Sequence, residues 1–163
     1  MKTISNNLTE IYCDGSCIGS AGNGGWAYLI KQKDNPKYPK VNCGRSIQTT
    51  NSRMEMAAAI EALKALPSNS TATLFSDSEL LVKGINTWLK NWIAKGWERA
   101  DRKPVANKDL WQQIANLLNL HNITAIWVKA HSNNADNNFV DSLARAQAYG
   151  TFNIYNADLS RGA

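Results

Sequence analysis

The feature that most constrains this chain is a change from strand to helical period at one acidic residue. Thr71 to Ser76 (TATLFS) has the β-branched, apolar composition of a short strand, and the sequence after Asp77 is helical in period. Three lysines and three tryptophans alternate in that helical part: Lys83, Lys90, Lys95, Trp88, Trp92 and Trp97. A carboxylate at a strand end can hold a metal ion, and a basic segment with tryptophans can bind nucleic acid.

Length and charge indicate one basic domain. The 163 residues suffice for one core, so we predict a single domain over 1–163, with a core at about 9–149 and a flexible tail at 150–163. The formal net charge of +5 favours a polyanionic partner. Between Lys83 and Lys103, six basic residues stand against two acidic ones. A solvated protrusion is the alternative, but its tryptophans argue against that.

Cysteine usage and hydropathy favour a reducing compartment and no membrane. The three cysteines, Cys13, Cys17 and Cys43, are an odd number without a C-x-x-C pair, which argues against a disulfide framework or a zinc site. The sequence contains no apolar run of membrane-spanning length, and its first ten residues lack the apolar centre of a signal peptide. We therefore predict a cytoplasmic protein without a membrane partner.

The order of predicted elements indicates an α/β fold. The predicted strands are Thr9 to Cys13, Gly25 to Gln32, Val41 to Thr49, Thr71 to Ser76 and Asn122 to Lys129. The predicted helices cover 54–66, 78 up to Gly96, 110–120 and about 139–149. The first three strands have short connections and form an antiparallel meander. Parallel pairing of the first, fourth and fifth strands then gives a five-stranded mixed sheet flanked by helices.

Apolar spacing predicts which helical side chains face the core. In the first helix these are Met56, Ile60 and Leu63. In the second they are Ile85, Trp88, Leu89, Trp92 and Ile93, and we expect some of these indoles to pack and at least one to face a ligand. In the third they are Leu110, Ile114, Leu117 and Leu118.

Four acids and a histidine are predicted to meet at one edge of the sheet. Asp14 and Asp77 follow strands that we expect to be parallel neighbours. Glu55 and Asp141 stand near helix starts and can reach the same edge, as can His131 after the fifth strand. Each residue alone has an ordinary structural explanation, such as turn chemistry or the helix dipole. Together the carboxylates would repel one another and need a cation, and oxygen ligands favour Mg²⁺ or Mn²⁺.

Five stretches of the sequence carry a family resemblance. They are IYCDGSCIGSAGNGG at 11–25, TTNSRMEMAAAIEAL at 49–63, SDSELLVKGI at 76–85, NTWLKNWIAKGWERADRKPVANKDLW at 86–111 and WVKAHSNNADNNFVDSLARA at 127–146. In order, local sequence and spacing the chain resembles the type 1 ribonuclease H family, in the bacterial ribonuclease HI form, over roughly 9–149. The resemblance implies the ribonuclease H-like fold with a basic helical protrusion, here residues 83–103, which we call the protrusion.

The resemblance also implies an activity. The implied activity is that of an endonuclease, which hydrolyses the RNA strand of RNA/DNA hybrids and leaves 5′-phosphate and 3′-hydroxyl ends. The implied metal ligands are the carboxylates Asp14, Glu55, Asp77 and Asp141. We expect them to hold two Mg²⁺ ions with substrate, with Mn²⁺ as an alternative and Asp14 between the two ions. His131, on a mobile loop, assists catalysis in this interpretation, and we expect a monomer.

The resemblance assigns substrate contacts as well. Those expected to meet the RNA strand are Gly15, Ser16, Asn51 and Glu79. Those expected to meet the DNA strand are Thr50, Trp88, Lys90, Trp92, Lys95 and Trp97. Discrimination between the two strands requires reading of the 2′-hydroxyl and of duplex shape.

The chain departs from the family pattern at three places. Its glycine turn reads Ser20-Ala21-Gly22-Asn23, where asparagine and prolines are usual. Glu79 stands where the family usually has glutamine, and a carboxylate there weakens the attraction for phosphate. The protrusion carries Ile93 and Ala94 at positions that are commonly basic. These departures bear on affinity more than on chemistry.

Other interpretations remain open. A non-catalytic hybrid-binding module would share the surface but has no need of the acids. A general nucleic-acid-binding protein would respond to salt but ignore Mg²⁺ and the 2′-hydroxyl. A DNA nuclease or transposase-like domain on the same fold would lack the protrusion.

Overall fold

The computed structural model describes residues 8–151. Its centre is a five-stranded sheet in the order β3-β2-β1-β4-β5. The strands are β1 (Thr9–Cys17), β2 (Gly24–Gln32), β3 (Lys40–Ser46), β4 (Thr71–Ser76) and β5 (Asn122–Trp127). The segments 1–7 and 152–163, which include most of the predicted tail, lie outside the described residues.

The helices lie between and after the strands. They are α1 (Asn51–Lys64), α2 (Glu79–Lys83), α3 (Leu89–Ala94), α4 (Lys108–Leu118) and α5 (Ala135–Tyr149). A π-helical turn at Gly84–Trp88 joins α2 to α3. None of the described helices is both long enough and apolar enough to cross a membrane.

Strand pairing confirms the predicted mixed sheet. β2 pairs antiparallel with both β1 and β3, and β4 pairs parallel with both β1 and β5. Each parallel connection passes through helix, as expected for crossovers within one sheet. The carboxyl ends of β1, β4 and β5 therefore face the same edge, which is the edge predicted to carry the acids.

The core has two parts because both faces of the sheet are covered. On one face Ile11 of β1 packs in a cluster with α1 and α4 residues. On the other face Tyr12 packs with α5 residues such as Val140. This alternation along β1 is the period of two of a strand buried on both sides. The predicted α1 core residues are confirmed, since Met56, Ile60 and Leu63 are all buried.

Two element bounds differ from prediction in ways that affect the acids. β1 extends to Cys17, so Asp14 lies inside the strand rather than after it, because β2 continues to pair with β1 up to Gly24. α5 begins at Ala135 rather than near Phe139, because the Asn134 side chain accepts a hydrogen bond from the Asn137 N–H and caps the helix. Asp141 therefore lies in the second turn of α5, not at its start.

Three further details were not predicted. Ile93 is exposed rather than inward, because the π turn adds a residue and rotates the apolar face of α3. In α4 the fully buried ring is Trp111, which the leucine spacing did not indicate. Gly150 and Thr151 belong to the end of α5 rather than to a tail, since the Thr151 N–H donates to the Ala146 carbonyl at 2.9 Å.

Candidate active site and metal centre

Strand register brings Asp14 and Asp77 level with each other. The parallel pairing of β1 with β4 ends at the partners Tyr12 and Phe75. Asp14 and Asp77 each lie two residues further on, so they occupy equivalent places on adjacent strands. Asp14 stays rigid beyond this point because β1 still pairs there with β2. The sheet therefore brings the two residues side by side, with Asp14 inside β1 and Asp77 in the bend just after β4.

Glu55 reaches the same point from α1, through a close approach at Gly15. A Cβ added to Gly15 would lie 2.3 Å from the backbone nitrogen of Glu55, so only glycine lets α1 come this near to β1. Glu55 lies in the second turn of α1 and is only 5% exposed. The helix thus delivers a buried carboxylate beside the one on the strand.

The three carboxylates form a compact group in which one buried oxygen accepts no hydrogen bond from the described residues. Asp14, Glu55 and Asp77 can each offer one oxygen such that these atoms lie within 4.8 Å of one another. Asp14 Oδ1 accepts a hydrogen bond from the Gly15 N–H at 2.8 Å. Among the described residues, nothing donates to the buried Glu55 Oε2. An acceptor that is buried without a donor is costly, and a hard divalent cation would satisfy it.

The electrostatics of this group favour a bound cation. Burial, and then the charge of Asp77, raise the pKa of Asp14 to about 8. Burial and the nearby Asp14 charge raise the pKa of Glu55 well above its ordinary value. The pKa of Asp77 is raised as well, mainly by burial, although a hydrogen bond from Asn137 opposes the rise. Without a cation the group therefore retains protons at neutral pH.

Metal-free protein is expected to gain stability as the pH falls from about 9 to about 6. The Asp14 carboxyl has a pKa of about 8 in the folded chain against an ordinary 3.8, so folding takes up a proton between these values. This contribution to the free energy of unfolding is complete below the ordinary pKa of 3.8, and it is lost as the pH rises through the folded-state pKa of about 8. Thermal midpoints measured in EDTA across this range test the sign.

Magnesium supplies the control for that measurement. Because the cation competes with the proton, Mg²⁺ should raise the thermal midpoint more at pH 9 than at pH 6. A midpoint in EDTA that fell on acidification within this range would contradict the assignment of a raised pKa to Asp14.

Asp141 stands beside this group rather than within it. Its carboxylate is ion-paired with Arg145, one turn further along α5. Its charge acts on both Asp14 and Asp77, raising their pKa values. His131 follows β5 at a positive φ of 51°, and its Nδ1 lies 3.9 Å from Asp141 Oδ2. The histidine side chain is 71% exposed, so it can meet a ligand in solvent.

Two residues that support Asp77 were missed in the sequence. The Asn137 side chain hydrogen-bonds Asp77, is 1% exposed, and leaves its own Oδ1 without a donor among the described residues. The Trp127 indole donates to the Asp77 carbonyl at 3.1 Å. Nothing in the sequence separates Asn137 from its asparagine neighbours in 133–138. Trp127, a tryptophan at the end of a predicted strand, was a usable signal.

The residues expected to contact RNA, and Thr50, which is expected to contact DNA, lie on β1 and at the starts of α1 and α2. Gly15 is buried and Ser16 half-buried on β1. Thr50 caps α1, since its Oγ1 accepts from the Arg53 N–H at 3.2 Å, and the exposed Asn51 is the first residue of that helix. Glu79, the first residue of α2, is exposed and ion-paired with Lys83 at 3.4 Å. That pairing partly offsets the unfavourable charge predicted for Glu79.

Two tryptophans of the protrusion pack against the core, and a third lines a groove on its surface. Trp92 and Trp97 pack against the main core cluster. Trp88 lines a groove of about 280 Å³ whose other lining residues are Asn91, Trp92, Lys95, Glu98, Arg99 and Ala100. Lys90 and Lys95 are exposed. The structure therefore offers an aromatic ring next to cationic side chains, which suits a phosphate–sugar strand.

Comparison with known proteins agrees with this geometry. A family model described as RNase H matches residues 6–149. A protein named Ribonuclease H from Ruthia magnifica subsp. Calyptogena magnifica is 47% identical over 139 residues, covering 85% of this chain and 93% of that protein. The solved structure of LC9-RNase H1, a type 1 RNase H with the type 2 active-site motif, has a TM-score of 0.77 at 26% identity, covering 90% of this chain and 74% of that one.

A second solved structure shares the fold alone. LC11-RNase H1, determined in complex with RNA/DNA hybrid, has a TM-score of 0.61 at 19% identity, covering 87% of this chain and 97% of that one. The family model spans most of this chain, and the relative is similar over nearly its whole length. The chain therefore belongs to the ribonuclease H family of endoribonucleases.

Proposed function

We propose that this chain cleaves the RNA strand of RNA/DNA hybrids internally and leaves 5′-phosphate and 3′-hydroxyl ends. The observation that carries the proposal is the group of three carboxylates with a buried oxygen that has no donor. A binding module gains nothing from such a group, because clustered acids repel phosphate. The family supports the reaction, and a relative of the same fold has been solved with a hybrid.

The donor set fits a divalent metal ion. Asp14, Glu55 and Asp77 would hold it, and Asp141 would complete the set, since its charge already acts on two of them. All these donors are carboxylate oxygens, which suits Mg²⁺, with Mn²⁺ as the alternative. When bound as a pair with substrate, the ions would supply charge stabilisation at the scissile phosphate and a more acidic water.

The side chains around the carboxylates would orient them and move protons. The Asn137 side chain hydrogen-bonds the Asp77 carboxylate, and the Trp127 indole donates to the Asp77 carbonyl. Arg145 holds Asp141. His131 would carry a proton at the rim of the site, where its exposed ring can meet the leaving oxygen or a water. In this proposal the buried groups are fixed and the histidine is the accessible one.

Substrate binding would divide between two surfaces. The exposed Lys90 and Lys95 would neutralise phosphates of the DNA strand, with Trp88 against a sugar or base. Thr50 and Asn51 at the start of α1, and Ser16 on β1, lie nearer the acids and would contact the hybrid beside the cut. The buried Gly15 and the packed Trp97 would support these surfaces, and Trp92 would do so while also lining the groove beside Trp88.

Cleavage of four end-labelled substrates tests the function. An RNA/DNA hybrid, an RNA duplex, a DNA duplex and single-stranded RNA would each be incubated with Mg²⁺, with Mn²⁺ and with EDTA. Metal-dependent cutting of the RNA in the hybrid alone is expected, and the mobility of the fragments identifies their ends. Hybrid binding without cutting under every metal condition would favour the non-catalytic module. Metal-dependent cutting of the DNA duplex would favour a DNA nuclease.

We also propose that the chain works as a monomeric single domain in the cytoplasm. The three cysteines are all free, as suits a reducing compartment. Sedimentation at micromolar concentration, with and without hybrid, tests the monomer. A dimer in the absence of substrate would contradict it.

A further inference from the structure

The base of the protrusion is an irregular helix held on one side by α4. α2, the π turn and α3 follow one another directly, and the π turn contributes the extra residue. Turns of this kind often mark functional sites. On the side toward α4, a Cβ added to Gly84 would lie 2.1 Å from Cη2 of Trp111, and Leu89 is buried. This packing sets how closely the base approaches the core.

Asn86, in the middle of the π turn, holds the other side. Its Nδ2 donates to the Ala125 carbonyl at 2.9 Å, and its Oδ1 accepts from the Ala125 N–H at 3.3 Å. β5 is an edge strand, and on its inner side Asn122 donates its N–H to the Ser70 carbonyl, just before β4, while Val128 donates to the Ser76 carbonyl of β4. Because residues of a strand alternate in direction, Ala125 presents both backbone groups to the open edge. The Asn86 amide therefore takes the place of a neighbouring strand.

This contact links the protrusion to the catalytic edge of the sheet. Two residues after Ala125, the Trp127 indole donates to the Asp77 carbonyl. Two residues after Asn86, Trp88 lines the groove of the protrusion. A short rigid path thus runs from the presented indole, through the Asn86 amide and β5, to one of the three clustered acids.

We propose that Asn86 is a positioning residue that sets the direction of the protrusion relative to the acidic group. The inference rests on the proposed function, since it concerns how a bound hybrid is aimed at the acids. The apolar contacts of Leu89, Trp92 and Trp97 hold the base against the core, and the two directional hydrogen bonds to Ala125 fix its orientation toward β5. Because Ala125 is itself buried, truncation of Asn86 also costs some stability, so every comparison is made well below the thermal midpoint of the variant.

The expected effect of Asn86→Ala is on KM and depends on substrate length. For a long hybrid, KM should rise by about three- to tenfold, the range of one or two lost hydrogen bonds, with kcat nearly unchanged. For a short hybrid that does not reach the protrusion, KM should stay at the wild-type value. The short substrate is defined by experiment, as the longest hybrid whose KM is unaffected by Lys95→Ala.

Thr87→Ala is the matched control, because Thr87 is the next residue of the same π turn and is exposed. It should leave both KM values unchanged. A second readout is the affinity of Asn86→Ala for the long hybrid in EDTA, measured below its thermal midpoint, which should fall by the same factor as KM rises.

Two results would overturn the inference. One is an equal rise of KM on the long and short hybrids, which marks a general structural defect. The other is no rise on the long hybrid. Failure of the proposed function is seen separately, because a wild-type chain that cuts no hybrid fails before any variant is compared.

Discussion

Replacing Asp14 by Asn is expected to abolish cleavage of the hybrid, with a rate loss of at least about a thousandfold. Loss of several kcal/mol of charge stabilisation corresponds to that factor, because each 1.36 kcal/mol is about tenfold. Asp14 is the central residue of the site, because it lies level with Asp77 and hydrogen-bonds Glu55. Single-turnover cleavage with saturating Mg²⁺ is the measurement. Full activity of Asp14→Asn would remove Asp14 from the site.

The same variant is expected to be more stable than wild type when metal is absent. An amide keeps the shape of the side chain and removes a charge that raises the pKa of the buried Glu55 carboxyl. Its thermal midpoint in EDTA should therefore rise, and the increment given by Mg²⁺ should shrink. Asp34→Asn is the control, because Asp34 is exposed on a turn at a φ of 60° that Asn tolerates. It should alter neither cleavage nor stability.

Replacing Gly15 by Ala is expected to destabilise the fold by about 3 kcal/mol and to remove activity. The added Cβ would lie 2.3 Å from the backbone of both Met54 and Glu55, and backbone cannot swing aside as a side chain can, which places the cost at the upper end for overpacking. α1 must move away from β1, so the Glu55 carboxylate leaves the other two. A thermal midpoint lower by about 10 °C is the expected readout.

Gly19→Ala separates this packing effect from ordinary backbone strain. Gly19 has a φ of 64°, and a Cβ there would meet no atom within 4 Å, so its replacement costs only the left-handed conformation, about 1–2 kcal/mol. Activity per folded molecule should be retained in Gly19→Ala and lost in Gly15→Ala. Equal activity in the two folded variants would show that the position of Glu55 is not critical.

The parts of the fold that the sequence predicts are those set by local patterns. β4 was predicted with the bounds that the structure has, Thr71–Ser76, because its composition and flanking residues change sharply there. The buried face of α1 follows from helical spacing. The convergence of Asp14 and Asp77 follows from parallel strands whose ends share one edge. The first two inferences need no knowledge of a tertiary contact, and the third needs only the rule that strands joined by a helical crossover pair in parallel.

The parts that were missed depend on contacts between distant segments. Asp14 lies within β1 only because β2 pairs with that stretch, and the exposure of Ile93 follows from a π turn whose Gly84 packs on Trp111. Asparagines with the same side chain take different roles because each one contacts a different part of the fold. Asn86 and Asn137 bind a strand edge and a carboxylate, while the exposed Asn133 has the same side chain and makes no such contact.

Four neighbouring indoles, three from the protrusion and Trp111 from α4, give the molecule an optical signature. Trp92 lies 5.8 Å from Trp88, 6.5 Å from Trp97 and 5.2 Å from Trp111, ring centre to ring centre. Chromophores this close couple their electronic transitions. The coupling between Trp92 and Trp111 exists only while the protrusion is docked on α4, so the near-ultraviolet circular dichroism of the protein carries a component that reports docking. Trp88 lines the groove of the protrusion, so a ligand bound there as proposed would change the emission of this indole. Docking and occupancy of the protrusion can thus be followed separately by dichroism and fluorescence, without any attached label.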